Sequence, residues 1–291
     1  MKNLGLMLFA LLLVTCGASA QVSVEILTDQ EQFMPSEAIP IAVRVVNRSG
    51  QAIRLGKEAD WLTFSVEAKD GMIVPKIGDV PVVQEFVLDS SKMATKHVDL
   101  APYFNMSALG RYSVTASVKI KDWGLTVTSQ PQVVEVVRGV KLWEQEIGVP
   151  PASPTDHSQP EVRKFSLEQT PYSEHMKLYL RVTDVSESQV YKIFQVGPMI
   201  SFSRPEPELD AQNNLHLLYQ SSGHMFLYSV INPQGEVVLR QTYDYSSTRP
   251  HLKQDKSGRI GVAGGVRHVA DNDIPPSQEL PLANVAPPAK P

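Results

Sequence analysis

Seven histidines, His97, His157, His175, His216, His224, His251 and His268, are the side chains here best suited to metal binding or proton transfer near neutral pH. None stands in an HxxxH or HExxH spacing, and the single cysteine, Cys16, offers no second thiol, so no metal site is legible. His216 alternates with Leu215 and Leu217 and therefore faces away from them, whereas Tyr219, an odd number of residues on, points to the other face. His216 reads as a strand histidine on a partly exposed face. Arg204 and Arg249 each precede a proline and stand six residues before Asp210 and Asp255. Such a set forms either a repeated rim for an anion or carbohydrate, or two arginine–aspartate pairs that hold the turns of a repeat. Gly261-Val262-Ala263-Gly264-Gly265 follows a strand pattern but precedes no helix, so it offers no phosphate-binding helix N-terminus and reads as close backbone packing. Asp271-Asn272-Asp273 lacks the glycine and glutamate that complete a calcium loop. No catalytic residue, cofactor site or metal site is assigned.

Composition narrows the classes further. The chain has 291 residues, 42% apolar and 20% charged, with 22 prolines and 17 glycines, enough to bury one large core or two ordinary ones. With 27 Lys+Arg against 31 Asp+Glu the net charge is −4, without the basic footprint of a nucleic-acid binder. One cysteine permits no internal disulfide.

Residues 1–20 read as an export signal: Lys2, an apolar run from Leu4 to Val14, and Ala18-Ser19-Ala20 ahead of cleavage between Ala20 and Gln21. The run is shorter than the roughly 17 to 25 residues that span a bilayer. Leu13-Val14-Thr15-Cys16-Gly17 also resembles a bacterial lipoprotein site, with Thr15 where Gly, Ala or Ser is usual. The expected location is periplasmic or extracellular, and membrane-tethered only if Cys16 is lipidated.

These residues need elements to position them, and the patterns are those of strands. Ile39, Ile41, Val43 and Val45 alternate up to Asn47-Arg48-Ser49-Gly50; Tyr112, Val114, Ala116, Val118 and Ile120 repeat the period, and Leu62, Phe64 and Val66 run into Asp70-Gly71. No ten-residue segment has a helical period, so residues 21–138 are expected to form an antiparallel β-sandwich. Trp61 and Trp123 bound strands and read as packing residues, as does Trp143, rather than sugar platforms. Phe33-Met34-Pro35-Ser36-Glu37-Ala38-Ile39 with Asn47-Arg48-Ser49-Gly50, and later Gly110-Arg111-Tyr112-Ser113-Val114, resembles bacterial extracellular immunoglobulin-like domains. The resemblance implies a binding, spacing or scaffolding module and brings no catalytic residues. It also argues against glycosylation at the sequons Asn47-Arg48-Ser49 and Asn105-Met106-Ser107.

Pro150 to Pro160 holds four prolines, and residues 139–162 are expected to be a linker. Beyond it, Arg204-Pro205, Asp210 and Leu215 recur 45 residues later as Arg249-Pro250, Asp255 and Ile260, and Tyr179–Asp184 is similar to Tyr228–Asn232. With strands at Leu215–Gln220, Met225–Ile231 and Glu236–Tyr243, the repeat has the size of a propeller blade, so residues 163–269 are expected to form blade-like antiparallel repeats. The 129 residues from Lys141 to Val269 cannot close a propeller of four or more blades; an open stack, a second sandwich or closure between chains remain. The Asp255 turn resembles the Asp-box of extracellular propellers without its tryptophan. Residues 270–291, with six prolines, are expected to be a disordered tail.

The expected function is that of an exported, non-enzymatic binding or scaffold protein whose partner is a protein or polysaccharide, not nucleic acid, with oligomerisation open. A peptidase inhibitor acting through a sandwich loop is the first alternative. A glycan hydrolase or lyase using Asp210 and Asp255 is the second.

Overall fold

A computed structural model describes residues 22–149, 161–172 and 175–274. The expected signal, its cleavage point Ala20–Gln21 and Cys16 lie outside the described residues, as do 150–160 and 275–291. The chain divides into two compact units between Val137 and Arg138, and the described residues contain no α-helix. The protein is all-β, with several antiparallel sheets, and among the described residues none closes into a barrel or propeller.

Unit 1 is a sandwich. Strands β1 (Val22–Leu27), β2 (Gln32–Phe33), β3 (Pro40–Asn47), β4 (Ile53–Leu55), β5 (Leu62–Ala68), β6 (Phe86–Leu88), β7 (Lys92–Asp99), β8 (Gly110–Ile120), β9 (Leu125–Thr128) and β10 (Gln132–Val136) form three sheets. One has the order β1-β3-β7, a second the order β2-β10-β8-β5 with β9 also on β8, and β4 and β6 make a two-stranded ribbon. All pairs are antiparallel except β2 with β10. The alternation read from sequence is the packing pattern: Ile41, Val43 and Val45 of β3 and Tyr112, Val114, Ala116, Val118 and Ile120 of β8 meet in one core. The Tyr112 hydroxyl donates to the Ala108 carbonyl at 2.7 Å, four residues upstream. The bond ties the start of β8 back to the loop that precedes it.

Unit 2 is a stack of sheets. Its strands are β11 (Val140–Val149), β12 (Glu161–Tyr172), β13 (His175–Asp184), β14 (Val190–Met199), β15 (Glu206–Leu209), β16 (Leu215–Gln220), β17 (Met225–Ile231), β18 (Val237–Asp244), β19 (His251–Gln254), β20 (Ile260–Ala263) and β21 (Val266–His268). A four-stranded meander β11-β12-β13-β14 precedes a second, β15-β16-β17-β18, to which β21 adds an edge. The hairpin β19-β20 follows. Phe165, Leu167, Leu178 and Leu180 of the first meander pack on Leu215, Leu217 and Tyr219 of the second. The opposite face of the second meander, with Leu218, Phe226 and Tyr228, packs on Leu252, Ile260 and Val262 of the hairpin. The result is an open stack of a four-stranded sheet, a five-stranded sheet and a two-stranded hairpin.

Two expected boundaries move. Residues 140–149 and 161–162, assigned to a linker, belong to β11 and β12, which pair antiparallel, and Ile147 and Val149 at the end of β11 are buried. The tail does not begin at 270: Asp273 takes the Arg267 guanidinium at 2.7 Å and the Thr242 hydroxyl at 3.2 Å, and Ile274 bridges to Arg240.

Candidate binding surface

The residues singled out in unit 2 hold turns. Asp210 lies between β15 and β16, where its Oδ1 accepts the backbone N–H groups of Gln212 at 2.9 Å and Asn214 at 2.8 Å. Asp255 does the same between β19 and β20, accepting Ser257 at 2.8 Å and Arg259 at 3.0 Å. Asn232, between β17 and β18, accepts Gln234 and Glu236 at 3.1 and 2.8 Å. Each is an Asx-turn whose fourth residue, Asn213, Gly258 or Gly235, adopts positive φ. Asp184 builds a turn of similar design, one residue longer, with Glu187 at positive φ. The arginines do not pair with these aspartates. Arg204 is exposed, and the Arg249 guanidinium stacks 5.3 Å from the Phe226 ring centre. The chemistry of a shared rim is therefore replaced by separate, internally satisfied turns.

Around Asp210 lies an arrangement that spacing alone did not reveal. His216 is buried, with Nε2 3.3 Å from Asp210 Oδ2 and Nδ1 2.7 Å from the Tyr228 hydroxyl. Burial pushes the Asp210 carboxyl upward, but hydrogen bonds from the Asn214 side chain and backbone and from His216 and Gln212 outweigh it, so the net displacement is downward. Burial raises the Tyr228 hydroxyl well above its ordinary value. His216 thus joins two partners, the Asp210 carboxylate in the turn and the Tyr228 hydroxyl on the neighbouring strand. His216 is therefore a structural link between the turn and the sheet, on the face away from Leu215 and Leu217 as the alternation required. A general acid needs a carboxyl held protonated near neutral pH. Asp210 and Asp255 are both displaced the other way, Asp255 chiefly by the Ser257 hydroxyl and the Arg259 backbone.

A display of exposed apolar side chains lies in unit 1. After β5 the chain turns at Asp70-Gly71, pairs back on β5 through the bridge Glu67–Ile73, and crosses the sandwich as far as β6. Val74 and Val82 are buried in the core and tie the loop down at both ends. The Trp61 indole donates to the Val82 carbonyl at 2.9 Å, and Ile77 N–H bonds the Tyr103 carbonyl at 2.8 Å. Gly56 sets the return: at φ +85 its carbonyl takes the Gln84 N–H at 2.9 Å, and a Cβ on it would lie 1.8 Å from the Gln84 carbonyl oxygen. Beside and between these anchors Met72, Ile73, Ile77 and Val83 are exposed, with 66, 70, 66 and 61% of their surface accessible. A neighbouring cleft lined by Lys57, Glu58, Asp60, Lys119 and Lys121 is less inviting, because Lys119 pairs with Asp60 at 2.6 Å and Lys121 with Glu58. Sequence reading placed the Asp70-Gly71 turn but not this display. Its signal is the apolar runs Met72-Ile73-Val74 and Val80-Pro81-Val82-Val83 inside a Gly- and Pro-punctuated segment.

Trp61 is buried with its ring edge-on to Phe86, and Trp123 and Trp143 are partly buried, so none is a free stacking platform. Asn47 of the first sequon is fully buried, and the Asn105 Oδ1 of the second accepts the Ser107 hydroxyl at 2.7 Å. Gly264 and Gly265 adopt positive φ where the chain runs against Arg249 and Pro250. Among the described residues no group of histidine, cysteine, aspartate or glutamate is arranged to hold a metal, and no helix is long and apolar enough to cross a membrane.

No family model and no curated protein matches the chain. Among solved structures, the crystal structure of Spo0M, a sporulation control protein from Bacillus subtilis, aligns over 61% of this chain and 89% of its own, at 9% identity and a TM-score of 0.31. A likeness at that level carries no functional argument.

Proposed function

We propose that the protein is an exported, non-enzymatic binding module that recognises a protein partner through the loop between β5 and β6. The observation that carries this reading is the pairing of rigid anchors with outward apolar side chains. Val74, Val82 and the Trp61 indole hold the loop, while Met72, Ile73, Ile77 and Val83 stand in solvent. Scattered apolar residues on a surface need no explanation, but apolar side chains carried on a clamped loop lose less entropy on association and can form the apolar part of an interface. Export is supported by the Lys2, Leu4–Val14 and Ala18-Ser19-Ala20 pattern. The immunoglobulin-like resemblance agrees with a recognition role.

The test is photo-crosslinking in the native host from a photoreactive residue at position 73 or 77, with position 256, an exposed turn residue of unit 2, as control. A discrete adduct from the loop positions is expected. The double substitution Ile73→Asp/Ile77→Asp should weaken the identified complex at least tenfold and leave the urea midpoint unchanged, since both side chains are exposed. Adducts no stronger than those from position 256 would defeat the reading.

The same clamping favours a second reading, inhibition of a peptidase, since a loop fixed at both flanks resists the strand separation that cleavage requires. Stoichiometric inhibition in a panel of serine, cysteine and metallopeptidases, relieved by Ile77→Asp, would select it over simple binding.

A further inference from the structure

The outer edge of β7 carries a second recognition feature, and its backbone register can be worked out. Leu100 N–H bonds the Ile39 carbonyl and Ser91 N–H bonds the Asn47 carbonyl, so the odd-numbered residues of β3 direct their backbone groups toward β7. With Val43 opposite Lys96 and Val45 opposite Ala94, residues 94, 96 and 98 complete that ladder. The N–H and C=O groups of Met93, Thr95 and His97 therefore face away from β3. Among the described residues no strand pairs with them.

Beside this open edge is an apolar groove of about 210 Å³, with Val43, Val45 and Trp61 at its base and Phe86 and Ala94 on its sides. Lys96 stands on its rim, and no carboxylate lies on its lining. Among the described residues no carboxylate lies within ion-pairing distance of Lys92 or Lys96, whereas Lys76, Lys119, Lys121, Lys141 and Lys164 all have one.

Resting on the reading of the protein as a protein-binding module, we propose that β7 accepts an extended segment of the partner as a fourth strand of its sheet. Backbone groups of Met93, Thr95 and His97 make the ladder, one large apolar side chain of the segment enters the groove, and an acidic side chain meets Lys92 or Lys96. Added strands gain affinity from main-chain hydrogen bonds and selectivity from pockets for alternate side chains. Charge selects the occupant. A second copy of β7 would bring lysines against lysines, which is how edge strands discourage self-pairing, while an acidic strand is attracted.

The test uses a fluorescein-labelled ten-residue peptide of alternating valine and threonine with a central leucine and aspartates at both ends, read by anisotropy against the purified protein. Saturable binding is expected. It should fall at least tenfold when alternate peptide nitrogens are methylated, when lysines replace the aspartates, and for Thr95→Pro, which removes an outward donor and leaves the β3 ladder intact. Ala94→Arg, which fills the groove, should weaken binding similarly, with circular dichroism and the urea midpoint confirming the fold of both variants. No saturable binding, or equal affinity for the methylated peptide, overturns the proposal. Ile73→Asp/Ile77→Asp is expected to leave peptide affinity unchanged, so loss of loop crosslinking with retained peptide binding, or the reverse, separates failure of the loop reading from failure of this one.

Discussion

At the scale of single residues, Asn47 concentrates more bonding than any other turn residue of unit 1 described here. Its Nδ2 donates to the Gln51 and Leu88 carbonyls at 2.7 and 2.9 Å, and its Oδ1 accepts the backbone and hydroxyl of Ser49 at 3.0 and 2.7 Å. The sequence identified Asn47-Arg48-Ser49-Gly50 as the end of a strand from residue types alone. It could not reveal that the amide also reaches Leu88, 41 residues away. Truncation leaves a buried carbonyl without its donor, a loss of about 2 kcal/mol. Asn47→Ala is therefore expected to lower the urea-unfolding free energy of unit 1 by about that amount, and Asn47→Asp, which turns a negative charge toward two carbonyls, by more. His216 illustrates the opposite limit of legibility. Alternation gave its face, but its two partners come from a turn and from the neighbouring strand, and only the β16–β17 register brings Tyr228 into reach.

At the scale of elements, the repeated Asx-turn is the device that makes unit 2 a series of meanders. Asp210, Asn232 and Asp255 accept N–H groups two and four residues on, and the fourth residue of each turn reverses the chain at positive φ. This was legible in the sequence because the turn depends on local spacing: Asp-x-x-Asn, Asn-x-x-Gly and Asp-x-x-Gly. The Asp184 turn was not, because its positive-φ position is occupied by Glu187 and it is one residue longer. A pH dependence follows from the aspartates. Asp210 is held below its ordinary range by hydrogen bonds present only in the fold, so it contributes stability above its unfolded value, ~3.9, which is lost as pH falls through its lower folded value. Urea unfolding of the protein and of Asp210→Asn should differ at pH 7 and converge as the pH is lowered below about 4. An undiminished gap at pH 2 would contradict this account of the turn.

At the scale of the whole molecule, each unit has its own hydrophobic core: Phe33, Val43, Val66 and Val114 belong to one, and Phe165, Leu180, Leu217 and Ile231 to another. Units with separate cores and one chain crossing are expected to unfold as separate cooperative steps. Urea titration followed by near-ultraviolet circular dichroism should show two transitions, with Asn47→Ala moving only one and Asp210→Asn only the other. A single transition displaced equally by both variants would show the units to be coupled. Among the described residues, unit 2 consists of two meanders, the edge strand β21 and the hairpin β19-β20, stacked without closing. Its inner faces are covered nonetheless, the second meander having the first on one side and the hairpin on the other.

The sequence by itself determined the all-β class, the alternating core faces of β3 and β8 and the turns at Asn47-Arg48-Ser49-Gly50, Asp70-Gly71 and Asp255. Each of these follows from local spacing. Only the tertiary structure decided that residues 140–149 are a strand, since that segment shows its two buried residues, Ile147 and Val149, only once β12 pairs beside it. It alone brought His216 to Tyr228, exposed Met72, Ile73, Ile77 and Val83 on a clamped loop, and left the outer edge of β7 open beside an apolar groove. These features join residues distant in the chain. Which face of a strand meets the core is a period-two property that a sequence displays, whereas which strand is left without a neighbour depends on the pairing of all the others.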